Sequence, residues 1–410
     1  MSARGGRIVM AALEAIVCGK YVETDEFLEA LRQAGALWEH RRLMEEVSGD
    51  TIIIGPCRGH ASDLAQYLRM HVLGEAVKRQ LNVVFLGNYV DGGNQSVEML
   101  YIIALMMQHL PAVVPLIGQH EMFYPFPPCG FGSLRGALRL RSVKLRVPLD
   151  ILERAVKDFF DKLPVVCVVN KRFFCTSGGL ASEYRHLDDI AQERSQMRLS
   201  EFVQNRPMDE DEDKLALGCA FVGTQTETGN CFRYTYNAVC NFLSHNNMYT
   251  HIGGLEYHMY RPEFESFTRP NHYRESAYFP GWVLGRIHHE LHVPAFILLF
   301  SAPHFCGLNQ NYGCALAVVE DTLELRQIGP CAERPLIMPG EENHAFSWSQ
   351  VVLEKSLGSI LHEILFGDIH MSLKEVDTDD PEFAQEVRNA KSRYRRMCQL
   401  LKSHSLPVPH

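Results

Sequence analysis

Five short glycine-bearing segments carry most of the side chains that could do chemistry. They are Gly55-Pro56-Cys57-Arg58-Gly59-His60, Gly87-Asn88-Tyr89-Val90-Asp91-Gly92-Gly93, Gly118-Gln119-His120-Glu121, Thr176-Ser177-Gly178-Gly179 and Ser301-Ala302-Pro303-His304-Phe305-Cys306-Gly307. Imidazoles, carboxylates and a guanidinium recur in them. These groups serve acid–base catalysis, cation ligation and the holding of phosphate.

Each segment follows a short apolar run. The runs are residues 51–54, 83–86, 113–117, 165–169 with 173–175, and 296–300. Helical stretches at 63–75 and 95–108 separate the first three. Strand, loop and helix in repetition predict an α/β fold. In such sheets, ligands collect where strands end and loops begin.

Before this region, residues 7–48 read as helical, with Phe27, Leu31, Ala34 and Trp38 at three- and four-residue spacings. The acidic run Asp209 to Asp213 reads as a solvated loop, and the stretch 246–260 with His251 and His258 reads as a packed or solvated loop. Residues 347–404 read as mostly helical and contain the basic stretch 391–396. The expected organisation is a helical lead-in at 1–50, an α/β core at 51–335 and a helical C-terminal extension at 336–410.

The chain has 410 residues, 46% hydrophobic and 22% charged, which excludes a disordered or fibrous class. Its net charge of −9 disfavours a nucleic-acid-binding role. Twelve cysteines occur without a CxxC pair and read as reduced thiols, so an intracellular, cytoplasmic location is expected. Glu14 interrupts the N-terminal apolar run, against a signal peptide. The later apolar stretch 293–300 is too short to span a bilayer, so no membrane partner is expected.

In order and frame, the five segments resemble the metal-dependent serine/threonine protein phosphatases of the PPP type. That family carries GDxHG, GDxVDRG, GNHE, HGG, a later RxH, and SAPNYCG. The resemblance runs from about residue 51 to residue 328. It implies a calcineurin-like metallophosphatase fold, α/β (α+β), with a central β-sandwich flanked by helices. It also implies hydrolysis of phosphate monoesters at a two-cation centre.

Carried over position by position, the family's six metal ligands fall on Pro56, Arg58, Asn88, Gln119, Ser177 and Leu255. Pro56, Arg58 and Leu255 have no side chain able to ligate a cation, and Arg58 is itself a permanent cation. The phosphate-gripping arginines fall on Gly92 and near Thr228, and the tyrosine of SAPNYCG falls on Phe305. The family's catalytic pair survives as His120 and Asp91. The glycines that shape the loops are kept.

The resemblance therefore implies a pseudophosphatase, with no cofactor and no bound metal. It would serve as a protein-binding or structural component of a larger intracellular assembly. Other readings stay open. Arg58, His60 and His120 could hold a phosphorylated side chain of a partner protein, or Arg58 could pair internally with Asp91. His60, His120 and His304, with Asn88, Asp91 and Gln119 around them, could rebuild a metal site in a diverged active phosphatase. Gly367-Asp368-Ile369-His370 reads as a chance echo of GDxHG. The aromatic stretch 121–131 reads equally as a partner patch or a packed loop.

Overall fold

The computed structural model describes residues 3–38, 43–73, 81–125, 133–145, 147–192, 199–226, 229–255, 279–305, 311–320 and 322–331. They fall within one compact unit, Met1–Pro339. The expected C-terminal extension, with the 367–370 tetrapeptide and the basic stretch, lies outside the described residues. So do His258, Cys306 and most of the aromatic stretch.

Two sheets form the centre, and a smaller third one holds β7 (Arg206–Pro207), β8 (Phe221–Thr226) and β9 (Gly229–Tyr234). One has five strands in the order β14-β13-β2-β3-β4, namely Thr322–Ile328, Gly313–Val319, Thr51–Ile54, Asn82–Phe85 and Val113–Pro115. The other has six in the order β1-β5-β6-β10-β12-β11, namely Met44–Val47, Val166–Val169, Phe173–Thr176, Thr250–Gly254, Phe296–Leu299 and Trp282–Leu284. β2, β3 and β4 run parallel, as do β6, β10 and β12.

Strands β2, β3, β4, β5 and β12 are near-continuous apolar runs because both of their faces are buried. Alternate residues serve two cores. Ile53, Val84, Leu86, Val114, Cys167, Val169, Ile252 and Ile297 fill the space between the sheets. Ile52, Ile54, Val83, Phe85, Val166 and Val168 face the other way, into the helical layers. On one such helix, Leu149–Phe160, the buried residues are Leu152, Val156, Phe159 and Phe160, an apolar stripe at helical spacing. This is the calcineurin-like metallophosphatase α/β fold.

The lead-in is tied in more closely than its sequence suggests. The helices Ala3–Val17 and Thr24–Ala36 are as expected, but the next segment forms strand β1 instead of continuing as helix. β1 pairs in parallel with β5, in register from Met44↔Val166 to Val47↔Val169. A buried ion pair fastens this region. Arg141 donates to Glu98 at 3.1 Å and to the Val22 carbonyl at 2.6 Å, and its guanidinium stacks 4.1 Å over the Tyr21 ring.

Two loop expectations are corrected. The acidic run forms a short helix, Glu210–Leu215, capped by Asp209 in a reciprocal capping box with Glu212. Glu212 and Asp213 are ion-paired with Arg233 and Arg286. The stretch after residue 246 contains β10, a central buried strand, although its sequence Thr-His-Ile-Gly-Gly has no continuous apolar run.

Among the described residues every cysteine is free, and all but Cys18 and Cys219 are buried. No helix among them is long and apolar enough to cross a membrane.

Candidate functional site at the strand ends

The carboxyl ends of both sets of parallel strands converge. A Cβ placed on Gly87 would lie 2.6 Å from the Gly118 nitrogen and 2.9 Å from Ser177 Oγ, and φ there is +82°. Only glycine fits that turn, and the close approach brings the loops after β3, β4 and β6 together. Pro56 belongs to the same cluster. Its carbonyl accepts from Ser301, and its ring lies against Gly254, whose N–H donates to the Ser177 carbonyl at 3.1 Å. Leu255 follows directly and donates to the Leu299 carbonyl at 2.8 Å.

Backbone strain gathers here. Arg58, Asn88, Asp91 and His304 have φ of 49°, 53°, 65° and 48°. L-residues adopt that region at a cost, so the surrounding structure must hold them there. Glu121 supplies much of the hold around Asn88. Its carboxylate is fully buried and accepts three backbone N–H groups, from Asn88 at 2.8 Å, Tyr89 at 2.8 Å and Gly118 at 2.9 Å. Burial pushes its pKa up to about 7, against the pull of those donors. Asn88 continues the network, its Oδ1 accepting from the His120 N–H at 3.1 Å.

His120 and Asp91, the pair singled out from the sequence, are joined. His120 Nδ1 lies 2.8 Å from Asp91 Oδ2, and Asp91 Oδ1 accepts from the Leu134 N–H at 2.7 Å. With Nδ1–H donated to a carboxylate, the imidazole presents Nε2 as an acceptor. The Arg58 guanidinium lies directly against that nitrogen. Arg58 thus reaches the His–Asp pair through the imidazole. Its backbone is fixed by an N–H bond to the Asn88 carbonyl and by accepting from Gly93, and its head sits 5.7 Å from the centre of the Phe305 ring. His60 packs against the same ring, 5.7 Å between ring centres, and its Nδ1 lies 3.5 Å from Asp63.

The structure therefore brings together Pro56, Arg58, Asn88, Asp91, His120 and Ser177, with Leu255 bordering them. Gln119 opens the short helix Gln119–Met122 beside them. His304 lies in the loop after β12, where its N–H donates to the Asn311 carbonyl. His60, His120 and His304 do not form a tight metal-capable group; among the described residues, the group found is elsewhere. Ser177 Oγ is buried and has no hydrogen-bond partner among the described residues.

Sequence reasoning passed over Glu121 as a positioning residue. The signal was present, a carboxylate three residues after a strand-end glycine, where it can fold back on its own loop. It also left His251 without a role. This histidine is fully buried on β10, and its Nε2 is 2.9 Å from Thr176 Oγ1. Burial and then nearby Arg206 depress its pKa to about 3, so it is neutral.

Fold and site together define a metallophosphatase-type architecture with its loops gathered at the strand ends. The sequence pattern of the calcineurin-like phosphoesterase family matches residues 47–254, and the chain belongs to that family. It is a distant homologue of the PPP serine/threonine phosphatases. The catalytic subunit A1 of serine/threonine-protein phosphatase 2B from Saccharomyces cerevisiae is 23% identical over 328 residues, covering 76% of this chain and 53% of that protein. The chain thus spans about half the length of that curated relative. Among solved structures, a serine/threonine phosphatase from Saccharomyces cerevisiae, described as similar to human phosphatase PP5, superposes with a TM-score of 0.55 at 17% identity. That match covers 77% of this chain and 93% of the other and supports the fold.

Proposed function

We propose that this chain is a pseudophosphatase, a non-catalytic relative of the PPP enzymes that works by binding other proteins. The observation that carries the reading is the contact of His120 Nε2 with the Arg58 guanidinium. In the family this imidazole protonates the leaving group, which needs a proton on the nitrogen facing the substrate. Here that nitrogen faces the Arg58 guanidinium, which donates to it and cannot give up its own proton.

The donor set agrees with this reading. A pair of divalent cations needs converging carboxylates and imidazoles. At the six family positions stand two side chains with no donor atom, Pro56 and Leu255, and one fixed cation, Arg58. The others are the amides of Asn88 and Gln119 and the hydroxyl of Ser177. These residues do not fit a two-cation centre. What the residues do is hold the loops in the family's shape, through Glu121, Asn88 and Arg58.

The reading is tested by assaying purified full-length chain for aryl phosphate hydrolysis with manganese, zinc or iron supplied. The expected result is no turnover above buffer. Turnover that His120→Ala abolishes, with two cations bound per chain, would overturn it. The binding role is tested separately by affinity isolation from native cells. A stable stoichiometric complex is expected; recovery of the bare chain alone would count against that part.

A further inference from the structure

The family's centre has few cation donors, but another part of the molecule gathers three. Cys240 Sγ and one ring nitrogen each of His288 and His289 lie within 4.8 Å of one another. The cluster is beside the start of β12, reached through the Ile287↔Pro294 bridge, while the strand-end centre lies past that strand's other end. Cys240 sits on the buried face of the helix Tyr236–His245. His288 is also buried, and its ring stacks nearly parallel on the exposed His289, 4.9 Å between centres.

One thiol and two imidazoles are the donor type of zinc sites, and three protein donors leave a fourth position for water. Zinc bonds of about 2.0–2.3 Å place tetrahedral donors roughly 3.5 Å apart, so a cation would draw this group inward by about 1 Å. Ser244, one helical turn beyond Cys240, places its Oγ 3.5 Å from His288 Nε2, where it could bond a bound water. Arg286 is the neighbouring positive charge, and its ion pair with Asp213 offsets it. We propose that Cys240, His288 and His289 form a binding site for zinc or a similar late transition-metal cation, clamping the turn after Arg286 to the helix.

Occupancy has a structural consequence. His288 Nδ1 accepts from the N–H groups of Glu290 and Leu291 at 3.2 and 3.3 Å, both long. A cation on Nε2 requires the proton on Nδ1, so those two contacts are given up and the turn adjusts. Burial pushes the Cys240 thiol up, while the Tyr236 hydroxyl bond and Arg286 pull it down. A cation would displace that proton, so binding strengthens with rising pH.

The test is a cobalt(II) titration of the reduced full-length chain. A thiolate-to-cobalt charge-transfer band saturating at one equivalent, and bleached by zinc, is expected. Cys240→Ser should abolish it. His289→Ala, at an exposed position, should weaken binding at least tenfold. Cys219→Ser, which removes an exposed thiol outside the cluster, should leave the band unchanged. No band, or a band that survives Cys240→Ser or is indifferent to His289→Ala, overturns the proposal.

Discussion

The loops after β3 and β4 and the loops after β2, β6 and β10 meet at one centre but are held in opposite ways. The first pair is organised by polar side chains. Glu121 accepts three backbone N–H groups, and Asn88 accepts a fourth. The second group is organised mainly by backbone bonds and packing, with the contact of Arg58 to His120 as its polar exception. Pro56 and Leu255 contribute no polar side-chain atom, and the Ser177 hydroxyl is buried without a partner among the described residues. The difference teaches where shape resides. The side that keeps its carboxylate and its Asp91–His120 pair holds its strained backbone from within. The other side rests on steric fit, such as the approach of Gly254 to Pro56.

The harshest way to break this comparison is Glu121→Ala. Three buried N–H donors would lose their acceptor, and each such loss costs about 1–3 kcal/mol. The expected destabilisation is at least ~3 kcal/mol, read by urea denaturation at neutral pH. Glu121→Gln, which keeps one acceptor oxygen, should cost less. A loss below about 1 kcal/mol for the alanine variant would show that the two sides are not held differently.

Glu121 also marks the limit of what the sequence disclosed. The strand-end blocks were legible because glycines and apolar runs are local signals, and they gave the α/β core and most of the centre. β1 and β10 were not, since Met-Glu-Glu-Val and Thr-His-Ile-Gly-Gly show strands only once neighbouring strands pair with them. The acidic helix was hidden in its charge run, although its Asp209 and Glu212 cap spacing was readable. Contacts across long separations were beyond reach. Arg58 meets His120 from 62 residues away, and the Cys240 cluster spans 48 residues to its first histidine, as 288 − 240. No local pattern encodes such meetings.

The packed side is also predicted to fail first in acid, through His251 on β10. Its pKa falls from 6.5 to about 3 because burial disfavours the charged ring. A base whose folded pKa is lowered stabilises the fold fully above its unfolded pKa. That stability drains as pH falls from 6.5 toward 3, at up to ~1.4 kcal/mol per pH unit. The same stability curve in His251→Gln, which keeps a donor for Thr176 but cannot ionise, should be flatter between pH 6 and pH 4. An unchanged slope would place the acid sensitivity outside β10.

The finest distinction is at Ser177. If the packed side is held by fit alone, removing its orphaned hydroxyl costs nothing. A buried polar atom with no partner carries a desolvation penalty, and an apolar replacement of similar shape relieves it. Ser177→Ala is therefore expected to be neutral or to stabilise by up to about 1 kcal/mol, with β6 and its loop unchanged. Elsewhere in the same sheet a similar deletion should act the other way. Thr176 Oγ1 bonds both His251 and the Gly179 carbonyl, so Thr176→Val should destabilise by about 1–2 kcal/mol. The two substitutions are adjacent in sequence and nearly equal in size, which makes their opposite signs a direct reading of hydrogen bonding. Destabilisation by Ser177→Ala of more than 1 kcal/mol would reveal a partner for that hydroxyl and would move the β6 loop into the polar-held class with β3 and β4.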